Sequence, residues 1–302
     1  MSEQGLPLEA NKLKHHGEQR QGADGFRRAF LRFRRHPGAM VGMVVFLLLA
    51  VGGILAPIVA PFDPIDVIPS ARTQPPSLDH LFGTDRLGRD IFSRVVHGAR
   101  LSLWIGFFSV LIGAVPGILL GVIAGYYGRW VDMVIMRFID VMLTFPTILL
   151  ALTIVFVLGP SLRNVMLAVG IASIPAYTRL VRGSVLSARE LVYVEAARVV
   201  GTPDLGIMFR HILPNVTAPV IVLGTLQVAT AILSAAGLSF LGMGVQPPTP
   251  EWGAMLSEGR NYLRQAWWMS TFPGFAIMVT VLSINLIGDG LRDTLDARLK
   301  GS

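Results

Sequence analysis

Cysteine is absent from this 302-residue chain, and lysine occurs only as Lys12, Lys14 and Lys300. The first absence excludes a disulfide framework, a thiolate zinc site and a cysteine nucleophile, while leaving the compartment open. The second excludes a phosphate-cradling P-loop, which needs Gly-x-x-x-x-Gly-Lys-Ser/Thr; none of the three lysines has that context. Charge is scarce as well: Asp, Glu, Lys and Arg make up 15% of the residues, against about 25% in ordinary soluble domains. His15, His16, His36, His80, His97 and His211 form no His-Glu-x-x-His or comparable ligand spacing. The residues therefore offer no metal site, no cofactor site and no catalytic constellation.

What fills the chain instead is apolar. Hydrophobic residues reach 52% and the mean hydropathy is +0.59, which points to residence in a bilayer. The net charge of +7 is gathered at one end, where Lys12, Lys14, Arg20, Arg27, Arg28, Arg32, Arg34 and Arg35 precede the first apolar run. Basic residues in that place follow the positive-inside rule and attract anionic lipid, so nucleic acid is not expected as a partner. The first run, 39–60, has 22 residues and no charge. Signal-peptide cores are about 7–15 residues long, so the run reads as a retained span.

Five further segments approach the length of about 20 residues that a crossing needs. They are 101–124 and 216–240, both uncharged, together with 133–158, 164–178 and 266–288. The short fourth span relies on Arg179 and Arg182 snorkelling at its end. An all-α membrane protein with six transmembrane helices follows. With the basic N-terminus in the cytoplasm, six crossings return the C-terminus to the same side and place 183–214 there, while 61–100 and 241–265 face outward. Trp104, Trp267 and Trp268 fall near span ends, where indole favours the interface. In the third span Arg137 and Asp140 lie three apart and can pair on one helical face near its cytoplasmic end. Pro146 and Pro175 interrupt spans and permit bending. Residues 83–100 alternate charged and apolar in helical fashion and read as an interfacial helix, with Leu87, Ile91 and Val95 on one side.

The polar insert between the fourth and fifth spans carries the sharpest local signals. Ser187-Ala188-Arg189-Glu190 fits a capping box, after which Leu191, Val194 and Ala197 share a face. Gly201 is placed to end that helix in a left-handed turn. Thr202-Pro203-Asp204 reads as the start of a second helix, which stops before Pro214. Two short helices meeting at a glycine bend are expected.

Glu195-Ala196-Ala197, three residues, Gly201, nine residues, then His211-Ile212-Leu213-Pro214 resembles the signature loop of the membrane subunits of bacterial ABC importers. His211 departs from that family's usual isoleucine, as is common in its dipeptide, oligopeptide and nickel branch. Two further blocks resemble the same branch: His80 through Asp90, continuing to Arg100, and Ser239-Phe240-Leu241-Gly242 with Gln246 through Gly253 and on to Gly288-Asp289-Gly290-Leu291-Arg292-Asp293. The three blocks look like a C-type permease.

The resemblance implies an ABC type I importer permease fold. It divides the chain into a cytoplasmic tail (1–38), a first transmembrane helix (39–60), an outer loop with an interfacial helix (61–97), a type-1 transmembrane domain (98–290) containing the cytoplasmic coupling loop 183–214, and a C-terminal tail (291–302). It further implies ATPase-coupling residues Glu195, Ala196, Ala197, Gly201, Thr202, Pro203 and Asp204. The implied partners are a second homologous permease, two ATP-binding subunits that bind the ATP, and an extracytoplasmic peptide-binding protein, all at the bacterial inner membrane. Peptides lead as cargo, with glutathione or a nickel chelate as alternatives. An ion-driven secondary transporter or a non-transporting receptor remains the contrasting class.

Overall fold

The computed structural model describes residue 31 and residues 33–299, with side chains to residue 295. Most of the basic N-terminal tail, including Lys12, Lys14, Arg20, Arg27, Arg28 and Arg32, lies outside the described residues, as does Lys300. Among those residues helix is the only extended regular structure, and one isolated bridge joins Thr84 to Asp90.

Helix α1 is Pro37–Ile54, with proline in its first turn, where no intrahelical N–H is needed. Helix α2, Ile91–Tyr127, has 37 residues and so runs about 55 Å, well beyond a hydrocarbon core of about 30 Å. Asp90 caps its start by accepting from the Ser93 amide, and Gly128 at φ +64° ends it. Helices α3 (Arg129–Thr144) and α4 (Thr147–Leu158) follow, then α5 (Leu162–Ala188), α6 (Val192–Val199) and α7 (Leu213–Phe240). The outer helix α8 (Trp252–Gly259) and the long α9 (Trp268–Leu299) complete the order. Asp289 is exposed within α9, which continues as helix through the region expected as a tail.

Helices α1, α2, α5, α9 and the segment Asp204–Phe240 are each long and apolar enough to cross a membrane. Helices α3 and α4 reach that standard only together, and they meet at 88°. Their contacts decide whether the pair crosses. Asp132 near the start of α3 pairs with Arg182 near the end of α5. At the other extreme, the Asn164 amide near the start of α5 donates to the carbonyls of Leu158 (2.8 Å) and Gly159 (2.9 Å), at the end of α4. The pair therefore joins the same two ends as α5, and the crossings number six.

The expected third span is thus real but broken. Proline disfavours helical dihedrals in the residue before it, and Phe145 is extended at φ −91°, ψ 133°. Pro175, by contrast, lies inside an uninterrupted α5.

Helices α2 and α5 pack along a stripe that allows their backbones to approach. Gly113, Gly117, Gly121 and Gly125 recur every four residues on α2. A Cβ at Gly117 would sit 2.6 Å from that of Tyr177, and one at Gly121 would sit 2.7 Å from that of Val181. Because lipid tails are as apolar as side chains, helix association in a membrane rests on such close van der Waals packing.

The two ends of the bundle differ. At the end carrying Trp252, residues 83–90 form a loop, and helix begins only at Ile91. The expected helix over 83–100 fails for a local reason. Asp85 Oδ1 accepts from the amides of Leu87 (2.8 Å) and Arg89 (3.0 Å), a turn that competes with helix. Gly88, at φ +84°, lies so close to the Ile68 carbonyl that no Cβ fits. Residues 91–100 belong to α2 itself.

This loop encloses a buried ion cluster. Arg89 Nε donates to Asp85 Oδ2 (2.5 Å), and Arg89 Nη2 donates to Glu258 Oε2 (2.7 Å). Arg94 Nη2 reaches the same Glu258 oxygen at 3.3 Å, and His80 Nδ1 lies 2.9 Å from Asp90 Oδ1. Trp268 is buried here rather than at the lipid interface, donating from its indole to the Thr84 carbonyl (3.0 Å). Gly83 at φ +72° leaves room for that ring. Trp104 and Trp267 stay about half exposed. Trp252 is fully buried and donates to the Val95 carbonyl, while Glu251 caps α8 through the Gly253 and Ala254 amides. Burial pushes the Glu251 carboxyl up from the ordinary carboxylate range, and those two amides pull it part of the way back.

Candidate coupling site

At the opposite end of the bundle, the chain between α5 and α7 leaves the spans. Helix α5 carries Ser187 and Ala188 in its last turn, with Ser187 Oγ donating to the Gly183 carbonyl (3.3 Å). No capping box forms, because adding residues to an existing helix is easier than nucleating another. Leu191 then turns extended, and α6 starts at Val192 without a side-chain cap.

The glycine bend is present as expected. Gly201 has φ +78°; its amide donates to the Arg198 carbonyl (3.0 Å) and that of Thr202 to Ala197 (3.0 Å). This is a Schellman pair, which satisfies carbonyls that a helix end leaves open. The next turn, Asp204–Gly206, has Pro203 rather than Thr202 at its N-cap. It does not stop before Pro214: a widened turn over Ile207–Ile212 leads into α7, with Pro214 in that helix's first turn. Wider i→i+5 bonding accommodates a residue without an amide proton.

One face of this segment is packed against the spans. Val194, Ala197, Ile207, Met208 and Ile212 are buried with Val122, Tyr126, Val181 and Val185 from α2 and α5. Polar ties reinforce the contact. Tyr126 donates its hydroxyl to Asp204 Oδ1 (2.7 Å), the Arg198 guanidinium sits 5.5 Å above the Tyr126 ring, and Arg189 Nη1 donates to the Gly125 carbonyl (3.0 Å).

The other face is uncovered. Glu195, Ala196, Gly201, Pro203 and Asp204 are exposed and Thr202 is half-buried, but Ala197 points inward and belongs to the packed face. Around them stand Val192, Val199, Val200 and Leu205, exposed by 80%, 82%, 80% and 65%. Sequence reasoning missed these four apolar residues; their signal was the apolar positions falling between those of the buried face. Four strongly exposed apolar side chains on one short segment suit an interaction surface.

Elsewhere, Asp140 pairs with Arg179 of α5 (2.8 Å) rather than with Arg137. Among the described residues, no three His, Asp or Glu side chains converge as a metal cage.

The sequence matches the family described as binding-protein-dependent transport system inner membrane component over residues 117–301. It also matches the N-terminal transmembrane domain of oligopeptide transport permease C over residues 26–76. It is 50% identical over 275 residues to the dipeptide transport system permease protein DppC of Alkalihalophilus pseudofirmus, spanning 91% of this chain and 90% of that one. Similarity to the glutathione transport system permease protein GsiD of Escherichia coli is of the same order, at 51% over 271 residues and 89% of each chain. Among solved structures, the MetNI methionine ABC transporter in an inward-facing conformation superposes with a TM-score of 0.54 at 18% identity, covering 67% of this chain and 96% of that one. That likeness establishes the ABC importer permease fold.

Proposed function

We propose a peptide-import role on one premise: the chain belongs to the binding-protein-dependent transport system inner membrane components. It is a multi-pass permease subunit, and in our reading it carries di- and oligopeptides inward without an ATPase or cofactor site of its own. ATP is bound by two separate ATP-binding subunits. A second homologous permease completes the pore, and an extracytoplasmic binding protein delivers the cargo. The Gly201 end faces the cytoplasm, and the Trp252 end faces outward.

The observation that carries this reading is the two-faced coupling segment. Its inner face interlocks with α2 and α5, and its continuation is α7 itself. A push on the outer face therefore reaches three spans at once, since close-packed interiors transmit displacement rather than absorb it. Glu195, Ala196, Gly201, Thr202, Pro203 and Asp204 sit where an ATP-binding subunit would grip, together with the exposed valines. Ala197 contributes by keeping the segment seated. ATP-driven closure of the motor pair then biases a two-state membrane element.

Glutathione is a second cargo reading, favoured by the similarity to GsiD. The test is uptake by proteoliposomes holding the full complex and its binding protein. A labelled dipeptide is expected to accumulate only with ATP. Uptake by this chain alone, collapsed by an uncoupler and indifferent to ATP, would identify an ion-driven carrier instead.

A further inference from the structure

Two open clefts adjoin on the bundle. One, of about 390 Å³, is walled by α2, α5, α7 and residues on both sides of the α3–α4 break, and it presents Ser173, Gln227, Thr230 and Ser234. The other, of about 690 Å³, lies nearer the Gly201 end, between Pro219 and Val222 of α7 and Arg292 of α9. Ala176 and Arg179 line both. Arg179 is the one ionisable residue among those lining the first cleft, and no acid lines either. Its Nη2 donates to Asp140 Oδ1 at 2.8 Å, with Arg179 and Asp140 side chains 54% and 48% exposed.

We propose that Arg179 is a carboxylate-binding residue of the translocation path, taking the terminal carboxylate of a peptide as it passes between the two clefts. This rests on the peptide-import reading above. A peptide carboxylate passing a largely apolar wall gains from a counter-charge. A guanidinium presents a planar fork that matches a carboxylate in two parallel hydrogen bonds. Asp140 already supplies a carboxylate to that fork, so the pair holds Arg179 at the junction. Exchange of one carboxylate for another keeps the guanidinium partnered throughout, and Asp140, half exposed, is left to water.

The test uses the complete reconstituted complex with its binding protein and labelled alanyl-phenylalanine, at equal complex abundance. Losing a charge-assisted hydrogen bond corresponds to roughly a tenfold to hundredfold change, so Arg179→Gln is expected to slow uptake by that factor. Arg179→Lys, which keeps the charge without the fork, is expected to fall between the two. The exchanged pair, Arg179→Asp with Asp140→Arg, distinguishes recognition from bracing. It restores the ion pair but moves the cation to α3, and its uptake is expected to stay as low as that of Arg179→Gln. Wild-type uptake by Arg179→Gln, or recovery by the exchanged pair, would overturn the proposal. Should Arg179→Gln not assemble, the exchanged pair and Arg179→Lys carry the comparison. No ATP-driven peptide uptake by the unaltered complex would remove the import reading itself.

Discussion

Replacing Glu195 with Lys is expected to abolish transport while leaving the permease inserted and assembled with its partner permease. Glu195 is exposed in the first turn of α6 and has no packing role. Inside the chain, the reversal sacrifices only a favourable interaction with the helix dipole, worth about 0.3–1 kcal/mol. At a protein interface, a central side chain is commonly worth 2 kcal/mol or more, so coupling should fall by about thirtyfold or beyond. Gly201→Asp makes the same point from the backbone. No heavy atom lies within 4 Å of a Cβ built there, so no internal clash results. The left-handed φ of +78° adds strain of about 1 kcal/mol for a non-glycine residue. Gly201→Ala carries that strain without the charge and separates the two effects. Uptake and membrane abundance, measured side by side, decide the matter: normal uptake by Glu195→Lys removes the docking role.

The second large effect lies at the other end of the molecule. Arg89 is 1% exposed and bridges Asp85 and Glu258, which are 169 residues apart from Arg89 in the latter case. Arg89→Ala leaves Asp85 and Glu258 sharing Arg94 alone, at 3.9 and 3.3 Å, so one buried negative charge loses its partner. Removing one partner of a buried pair typically destabilises by about 3–5 kcal/mol, because the remaining charge is uncompensated. The loop 61–90 should then detach from α8 and become open to protease, and the purified complex should unfold at a lower temperature. Arg72 is exposed on the same loop, and Arg72→Ala should stay within about 0.5 kcal/mol of wild type. An Arg89→Ala complex no less stable than the Arg72→Ala one would contradict a structural role for the cluster. Screening by salt should matter little, since buried charges are poorly screened.

Much of this architecture was written locally in the chain. Long uncharged runs located the spans, and a glycine at position 201 announced its own left-handed turn. The seven residues expected to couple lie in one segment, although Ala197 faces inward. What escaped was set by competition or by distance. The Ser187 capping pattern is genuine as a local signal, yet α5 was already propagating through it. Pro146 advertised a bend without its size. Asp140 found Arg179, 39 residues away, where helix periodicity offered only Arg137. Trp268 looked like an interfacial indole until Gly83 and Thr84, distant in sequence, made a seat for it. The glycine stripe from Gly113 to Gly125 was visible at four-residue spacing, but it lay hidden inside an apolar run read only for its length.

The absence of native cysteine makes one measurement direct. Val199→Cys places a single thiol on the exposed face of α6, where Val199 is 82% exposed. A bifunctional thiol-reactive cross-linker applied to the intact complex should join it to an ATP-binding subunit, with a yield that changes when ATP is added. A thiol that reacts with a membrane-impermeant maleimide from outside the cell, and forms no adduct with any ATP-binding subunit, would contradict the coupling role of this segment.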